Sequence, residues 1–326
     1  MSVSQWVLAP LRAVAFLTAL GAAAFALAAL GGVVSRWLDV LTHFAPLYLA
    51  AGLIAVALRL ATGLDGARPT VTLGLAAVGF AAALMAPELL AMARTAPPPA
   101  SGQTIKLLQF NLWEHNLAPE ETAAWIAEQD ADVVVLEEAN DRSARIPVLL
   151  KAQYPFQTSC APPRPCSTTI LTKVKPSAAA GLSAPPSRLS GAWVTLGEGE
   201  KAFTVAGVHY TWPVPPGAQQ HQSARLAAFL DEFDHHSLIV AGDMNSTPWS
   251  FALRRQDARF RLERRTRALF SWPAAPFTDW RLKSPLPFLA IDQVYAGEAW
   301  STVSVKAGPR QGSDHLPVTV VLRRGP

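Results

Sequence analysis

Charge is what this sequence has least of. Of its 326 residues only 16% are Asp, Glu, Lys or Arg, and 50% are apolar, where soluble domains carry about a quarter charged residues. The shortage is uneven: residues 1–100 hold five Arg, no Lys, two Asp and one Glu. The first hundred residues therefore suit a different solvent from the rest. A net charge of +4 gives no sign of the strongly basic surface that marks nucleic-acid-binding domains. Cysteine is nearly absent. Cys160 and Cys166 are one close pair, which excludes a zinc-type spacing. They are two free thiols or a small-loop disulfide, and the disulfide requires an oxidising compartment.

Three stretches carry no charge at all: between Arg12 and Arg36, between Asp39 and Arg59, and between Arg68 and Glu88. Each approaches the roughly 20 apolar residues that a helix needs to cross a hydrocarbon core, so three transmembrane helices are expected. His43 and Pro46 interrupt the second. A cleaved signal peptide would explain the first stretch alone, but the start is not strongly basic and two more spans follow. Arg12, Arg59 and Arg68 lean the N-terminus and the second loop towards the cytoplasm. Three crossings then place everything after Arg94 on the extracytoplasmic side, where a Cys160–Cys166 disulfide would persist.

The expected organisation is a membrane domain over residues 1–94, a Pro-rich linker over 95–103 (TAPPPASGQ from 95), and a soluble domain over 104–326. Extended, solvated chain suits the linker. In the soluble domain, β-rich runs alternate with helical patterns. Ile105–Phe110, Val133–Leu136, Phe203–Val208, Ser237–Ala241, Ile291–Tyr295, Thr302–Val305 and Val318–Leu322 read as strands. Pro119–Gln129 and Gln219–Phe233 read as helices, the first from a leading Pro and early Glu residues, the second from apolar residues at helical spacing. The fold class is α/β (α+β).

Several of the strand runs end abruptly in polar residues. Asn111 follows the first run, Glu137 and Glu138 the second, and His209 the third. Gly242-Asp243-Met244-Asn245 follows Ser237–Ala241, Asp292 follows Ile291, and Gly312-Ser313-Asp314-His315 precedes the last run. Strand ends are where sheet proteins gather sites, because the scaffold is rigid and the loops are accessible. Taken singly, each residue has a plainer explanation, such as a solvated strand end or a turn.

The order of these segments resembles the endonuclease/exonuclease/phosphatase superfamily, which includes pancreatic deoxyribonuclease and neutral sphingomyelinases. The segments are QFNLW at 109–113, DVVVLEE at 132–138, GVHYTWP at 207–213, AGDMNSTPW at 241–249, AIDQVY at 290–295 and GSDHLPV at 312–318. The resemblance implies a four-layer sandwich, two packed mixed β-sheets flanked by helices. It implies Mg²⁺ or Mn²⁺ held by Asn111, Glu138 and Asp314, and chemistry on a phosphate ester by His209, Asp243, Asn245, Asp292 and His315. Asp243 would orient or deprotonate the attacking water, and Asp292 would fix the tautomer of His315. Glu137 points away from Glu138 by strand alternation and is left out of the metal shell. Trp113 stands where many nucleases of the superfamily carry Asp or Asn.

The substrate class then includes nucleic acid, a lipid headgroup and a small phosphoester. A lipid phosphodiesterase of the sphingomyelinase type and a non-catalytic membrane module that retains the fold are the alternatives. The bilayer is the expected partner through the N-terminal helices, with no obligate protein partner evident, and the bacterial inner membrane is the expected location. The Arg-rich stretch from Arg254 to Arg267 reads as a solvated face, or as a clamp for an anionic substrate or acidic lipid.

Overall fold

The computed structural model describes residues 3–94, 98, 101–160, 167–182, 189–274 and 284–325, with side chains from residue 8 onward. The chain divides into two compact units: Met1–Ala93 with Thr247–Arg254, and Arg94–Ser246 with Arg255–Pro326.

The first unit is helical, with α1 (Val3–Leu30), α2 (Arg36–Thr42), α3 (Ala45–Ala61) and α4 (Arg68–Ala93). Leu8–Val33 and Arg68–Ala93 are each apolar over 26 residues, or about 39 Å at 1.5 Å per residue, long enough to cross a membrane. The second expected span is not one straight helix, since α2 and α3 are bent by 57°. The break falls at His43 and Phe44, with Pro46 in the first turn of α3. Proline lacks an N–H and disfavours helical geometry in the residue before it, so the helix stops and restarts there. Small residues set the packing of α3 on α4: a Cβ on Gly52 would lie 2.7 Å from Gly74 O, so the backbones approach closely.

Thr247–Arg254 is integral to this unit. The buried Asp39 carboxylate accepts the backbone N–H groups of Phe251 and Ala252, each at 2.8 Å, and so caps the helix that starts at Phe251. His43 Nδ1 accepts the Thr247 N–H at 3.2 Å, and Trp249 Nε1 donates to His43 O at 3.1 Å.

The second unit runs β1 (Thr104–Asn111), α5 (Pro119–Gln129), β2 (Val133–Glu137), α6 (Arg145–Leu149), β3 (Phe156–Ser159), β4 (Thr169–Thr172), β5 (Ala178–Gly181), β6 (Ser190–Leu196), β7 (Phe203–His209) and α7 (Ala218–Leu230). It continues with β8 (Ile239–Asp243), α8 (Phe251–Phe260, whose first turn belongs to the first unit), β9 (Glu263–Arg264), β10 (Asp292–Ala296), β11 (Trp300–Ala307) and β12 (Val318–Arg324).

The strands form two mixed six-stranded sheets, ordered β11-β12-β1-β2-β4-β3 and β5-β6-β7-β8-β10-β9. The parallel pairs are β1 with β2 and β7 with β8. Alternation along each strand divides the core. Ile105, Leu107, Val133 and Val135 join Val194, Val205, Ile239 and Val294 between the sheets. Leu108, Phe110, Val134 and Leu136 face outward and pack with Ile126 of α5 and Ile146 of α6. Phe229 of α7 packs on Trp193 of β6. The result is the expected α/β sandwich of two mixed sheets flanked by helices.

Strands β3 to β6 have no counterpart among the expected elements. β3, β4 and β5 have only four residues each, and β5 reads Ala-Ala-Ala-Gly, which lacks the apolar alternation a strand signal needs.

Candidate active site

Register brings the polar strand ends together. Across the parallel pairs, Asn111 lies beside Glu137 and His209 beside Asp243; in the antiparallel β8–β10 pair, Asp292 lies beside Asp243. Gly242 makes the β7–β8 approach possible. At φ 154°, a Cβ there would sit 1.8 Å from Val208 O, which leaves glycine as the residue that fits. Just past the strands, Glu138 (φ 52°) and Asn245 (φ 46°) adopt left-handed backbone. Glu138 thereby leaves the alternation of β2 and turns its carboxylate to Asn111.

Asp243 lies at the centre and is 1% exposed. Its Oδ1 accepts the Asn245 N–H at 2.8 Å. Its Oδ2 accepts from Asn111 Nδ2 at 3.0 Å and lies 3.7 Å from both His209 Nε2 and His315 Nε2. Burial pushes the Asp243 carboxyl up to about 6; the His315 charge opposes this and Asp292 adds to it. Asn245 donates to Tyr210 O at 2.9 Å, with its Nδ2 3.5 Å from His209 Nε2.

His315 Nδ1 pairs with Asp292 Oδ2 at 2.8 Å. Burial alone would lower the imidazole pKa. The Asp292 charge and hydrogen bond, with Asp243 and Asp314, outweigh it and hold that pKa well above the usual value. For Asp292, burial works upward, and His315, Ser271 and Gln109 together bring the carboxyl below its usual range.

Glu138 and Asp314 are the more accessible carboxylates, with side chains 27% and 20% exposed. Glu138 Oε1 accepts from Asn111 Nδ2 at 3.1 Å and lies 3.7 Å from His209 Nε2, while Oε2 takes the Glu114 N–H. Asp314 Oδ2 accepts from Trp272 Nε1 at 3.0 Å. Burial, ahead of the opposing His315 charge, raises its carboxyl.

Two groups could hold a cation. Asp243, Asp292 and His315 bring ligand atoms within 4.8 Å of one another, but their oxygens already accept from Asn245, Asn111, Gln109 and His315, and all three are buried. A hard ion such as Mg²⁺ keeps several waters, which the half-open pair Glu138 and Asp314 allows. Carboxylate oxygens are the donor type such an ion takes, and Glu138 and Asp314 offer them at the accessible side of the cluster. Asn111 presents its N–H₂ to the carboxylates, because its oxygen accepts the Trp113 N–H at 3.0 Å. Its two amide protons are directed at Glu138 Oε1 and Asp243 Oδ2.

Three residues outside the expected set, Gln109, Glu137 and Trp272, complete the cluster. Glu137 does point away from Glu138, yet it lies fully buried in the layer between the sheets, where Gln109 joins it to Asp292. The alternation Leu107, Gln109, Asn111 on β1 and Val135, Glu137 on β2 carries this signal: the polar residues continue the face of the inter-sheet core. Trp272, beyond every motif, has no sequence signal at all.

The arginine stretch divides: Arg255, Arg259 and Arg261 lie on an exposed, solvated face as expected, while Arg264 and Arg265 are buried. Arg264 is buried against Asp257, Arg265 against Glu263 and the Ala296 and Gly297 carbonyls, and Arg261 pairs with Asp231. Cys160 is disulfide-bonded; Cys166 lies outside the described residues.

A two-sheet sandwich with carboxylates, amides and imidazoles converging at one end of its strands defines a class of phosphoesterase-type folds. Residues 108–315 match the Endonuclease/Exonuclease/phosphatase family, and the chain belongs to it. Members of this family are generally hydrolases that act on phosphate esters.

Solved structures show the same fold. An endonuclease/exonuclease/phosphatase from Bacteroides vulgatus is 12% identical, with a TM-score of 0.57 over 68% of this chain and 100% of that one. Sphingomyelinase C from Streptomyces griseocarneus is 19% identical, with a TM-score of 0.50 over 68% and 100%. A Staphylococcus aureus beta toxin variant with bound magnesium ions is 13% identical, with a TM-score of 0.51 over the same shares. No match is found among curated proteins.

Proposed function

We propose that this chain is a divalent-metal-dependent phosphoesterase, held at a membrane by residues 1–94 and carrying its chemistry in residues 104–326. One observation carries the reading: the buried Asp243 carboxylate faces Asn111, His209 and His315 at hydrogen-bonding or near-contact range. A carboxyl lifted to about 6 accepts a proton from water more readily than an ordinary Asp. His315, held protonated by Asp292, donates from Nε2 towards developing negative charge. His209 supplies a further donor for phosphoryl oxygens, while Asn111 and Asn245 hold the Glu138 and Asp243 carboxylates in place. Glu138 and Asp314 would hold Mg²⁺ or Mn²⁺, which when bound neutralises phosphate charge and stabilises the leaving oxygen. The magnesium ions in the beta toxin relative agree with this choice.

The test uses the full chain in detergent with Mg²⁺ and bis(p-nitrophenyl) phosphate as a generic diester. Hydrolysis that Asp243→Asn and His315→Ala abolish is the expected result; full activity in both variants would remove the site assignment.

A lipid phosphodiester is the favoured substrate within this class. Trp212 is 62% exposed and packs edge-on against Trp272, which holds Asp314. An apolar side chain beside a phosphate site suits a ligand with a hydrocarbon portion. Turnover of sphingomyelin or phospholipid vesicles above DNA and RNA is expected, and preference for nucleic acid would reverse it. The Cys160 disulfide is consistent with an extracytoplasmic site. A reporter fused after Pro326 should then be active outside the cytoplasm; activity only inside would invert the orientation.

A further inference from the structure

Beneath His315 and Asp292 lies a polar layer that the proposed chemistry does not use. Gln109 Nε2 donates to Asp292 Oδ1 at 2.8 Å and to Glu137 Oε2 at 2.9 Å. Asp292 Oδ2 takes His315 Nδ1 at 2.8 Å. All four side chains are buried, Gln109 and Glu137 with no exposure at all. Among the described residues nothing pairs with Gln109 Oε1, so the two N–H bonds alone fix the amide. Its orientation is set by Asp292: turning the amide over would put its oxygen against the Asp292 carboxylate, which is held ionised beside His315.

The geometry points to Gln109 as a positioning residue for the Asp292–His315 pair, with Glu137 locking the Gln109 amide. The side-chain torsion of Asp next to its carboxylate is broad and only weakly self-limiting. A single hydrogen bond to His315 would leave the Asp292 carboxylate free to swing and carry the imidazole with it. A second donor on Oδ1 removes that freedom. Gln109 sits on β1, flanked by β12 and β2 in the middle of its sheet, so the anchor is rigid. Glu137 occupies the second Gln109 proton and keeps the amide from rotating towards other acceptors. Buried polar groups held this way specify one arrangement, and displacement of a reacting group by about 1 Å costs up to about 100-fold in rate.

This inference rests on the phosphoesterase reading, and its test separates the two. With bis(p-nitrophenyl) phosphate and Mg²⁺, Gln109→Leu in the full chain should lower kcat about 10- to 100-fold and leave KM within about 2-fold. In an Asp292→Ala background the same change should add no more than about 2-fold, because the carboxylate it positions is gone. Glu137→Gln, which still offers an oxygen, should recover most of what Glu137→Leu loses.

A readout independent of turnover is the low-field proton resonance of His315 Nδ1–H, identified by its loss in His315→Asn. It should persist in Glu137→Gln and vanish or move upfield in Gln109→Leu. Equal losses of kcat in the presence and absence of Asp292, or an unchanged resonance in Gln109→Leu, would overturn the positioning role. A wild-type chain inert on the diester would instead remove the functional reading, and the resonance would still decide this one. Should Gln109→Leu fail to fold, the Glu137 pair read by the same resonance takes its place.

Discussion

Replacing Asp243 by Asn should make the metal-free protein more stable as pH rises, while removing its activity. Burial lifts the carboxyl from 3.8 to about 6, so the folded state holds a proton that the unfolded chain has already released. A carboxyl raised in this way costs stability, and the cost grows as pH climbs through the window between the two values. At neutral pH the shift corresponds to about 3 kcal/mol. About 2 kcal/mol of that develops between roughly pH 4.5 and pH 7.5. An Asn at 243 carries no charge, so it escapes this term. It can still accept the Asn245 N–H, but its own N–H₂ would face Asn111 Nδ2, at a cost of about 1 kcal/mol. That second cost does not vary with pH, which makes the difference between two pH values the clean quantity. The assay is thermal unfolding of the full chain and its Asp243→Asn variant in detergent with a chelator. The advantage of the variant should widen by about 4–8 °C between the two pH values. An advantage that stays flat, or shrinks as pH rises, would refute a penalised buried carboxylate at the centre of the site.

Three other outcomes follow from the same contacts. Glu138→Gln should raise the Mg²⁺ concentration for half-maximal activity at least about 10-fold and remove any thermal stabilisation by the ion, whereas unchanged Mg²⁺ dependence would exclude Glu138 as a ligand. Trp272→Phe keeps the ring but loses the donor to Asp314, so a loss of about 1 kcal/mol in transition-state stabilisation, several-fold in kcat/KM, is expected; wild-type kinetics would show that Asp314 needs no anchor. Cys160→Ser should lower thermal stability by about 2 kcal/mol, as the opening of a short loop implies, and a reductant should lower the wild type to match but leave the variant unmoved.

Where the fold was legible in the sequence, burial and alternation coincided. Val133–Leu136 is a continuous apolar run because its two faces enter two different cores, and Asn111, His209 and Asp243 stand out because each ends such a run. β5 gave no signal, since an exposed Ala-rich edge strand owes its conformation to its β6 neighbour and not to its own residues. The second apolar stretch read as one span because hydropathy does not register a break, although Pro46 and His43 marked the place. Asp292 and His315 were found by the order of motifs. Gln109 and Glu137 needed the register of β1 against β2 to show that both enter the inter-sheet layer. Trp272 needed the three-dimensional path of a long connection that no local pattern encodes. In the arginine stretch only Arg264 and Arg265 departed from a solvated face, because their partners, Asp257 and the Ala296 and Gly297 carbonyls, lie on separate elements.

The assignment of Thr247–Arg254 to the helical unit means that the polypeptide passes between the two units three times, not once. The first passage follows Ala93, the second comes two residues after Asn245, and the third falls within α8. Cutting the chain in the 95–103 linker therefore does not partition the protein into its units. A fragment starting at residue 104 would carry an eight-residue piece of the other unit, including Trp249, whose indole then lacks its acceptor on His43. Nor could a shuffled gene exchange one unit for another by recombination at a single point, because any replacement would have to supply a new partner for the turn directly downstream of the GDMN motif. The route of the chain itself makes the two units inseparable by any single cut.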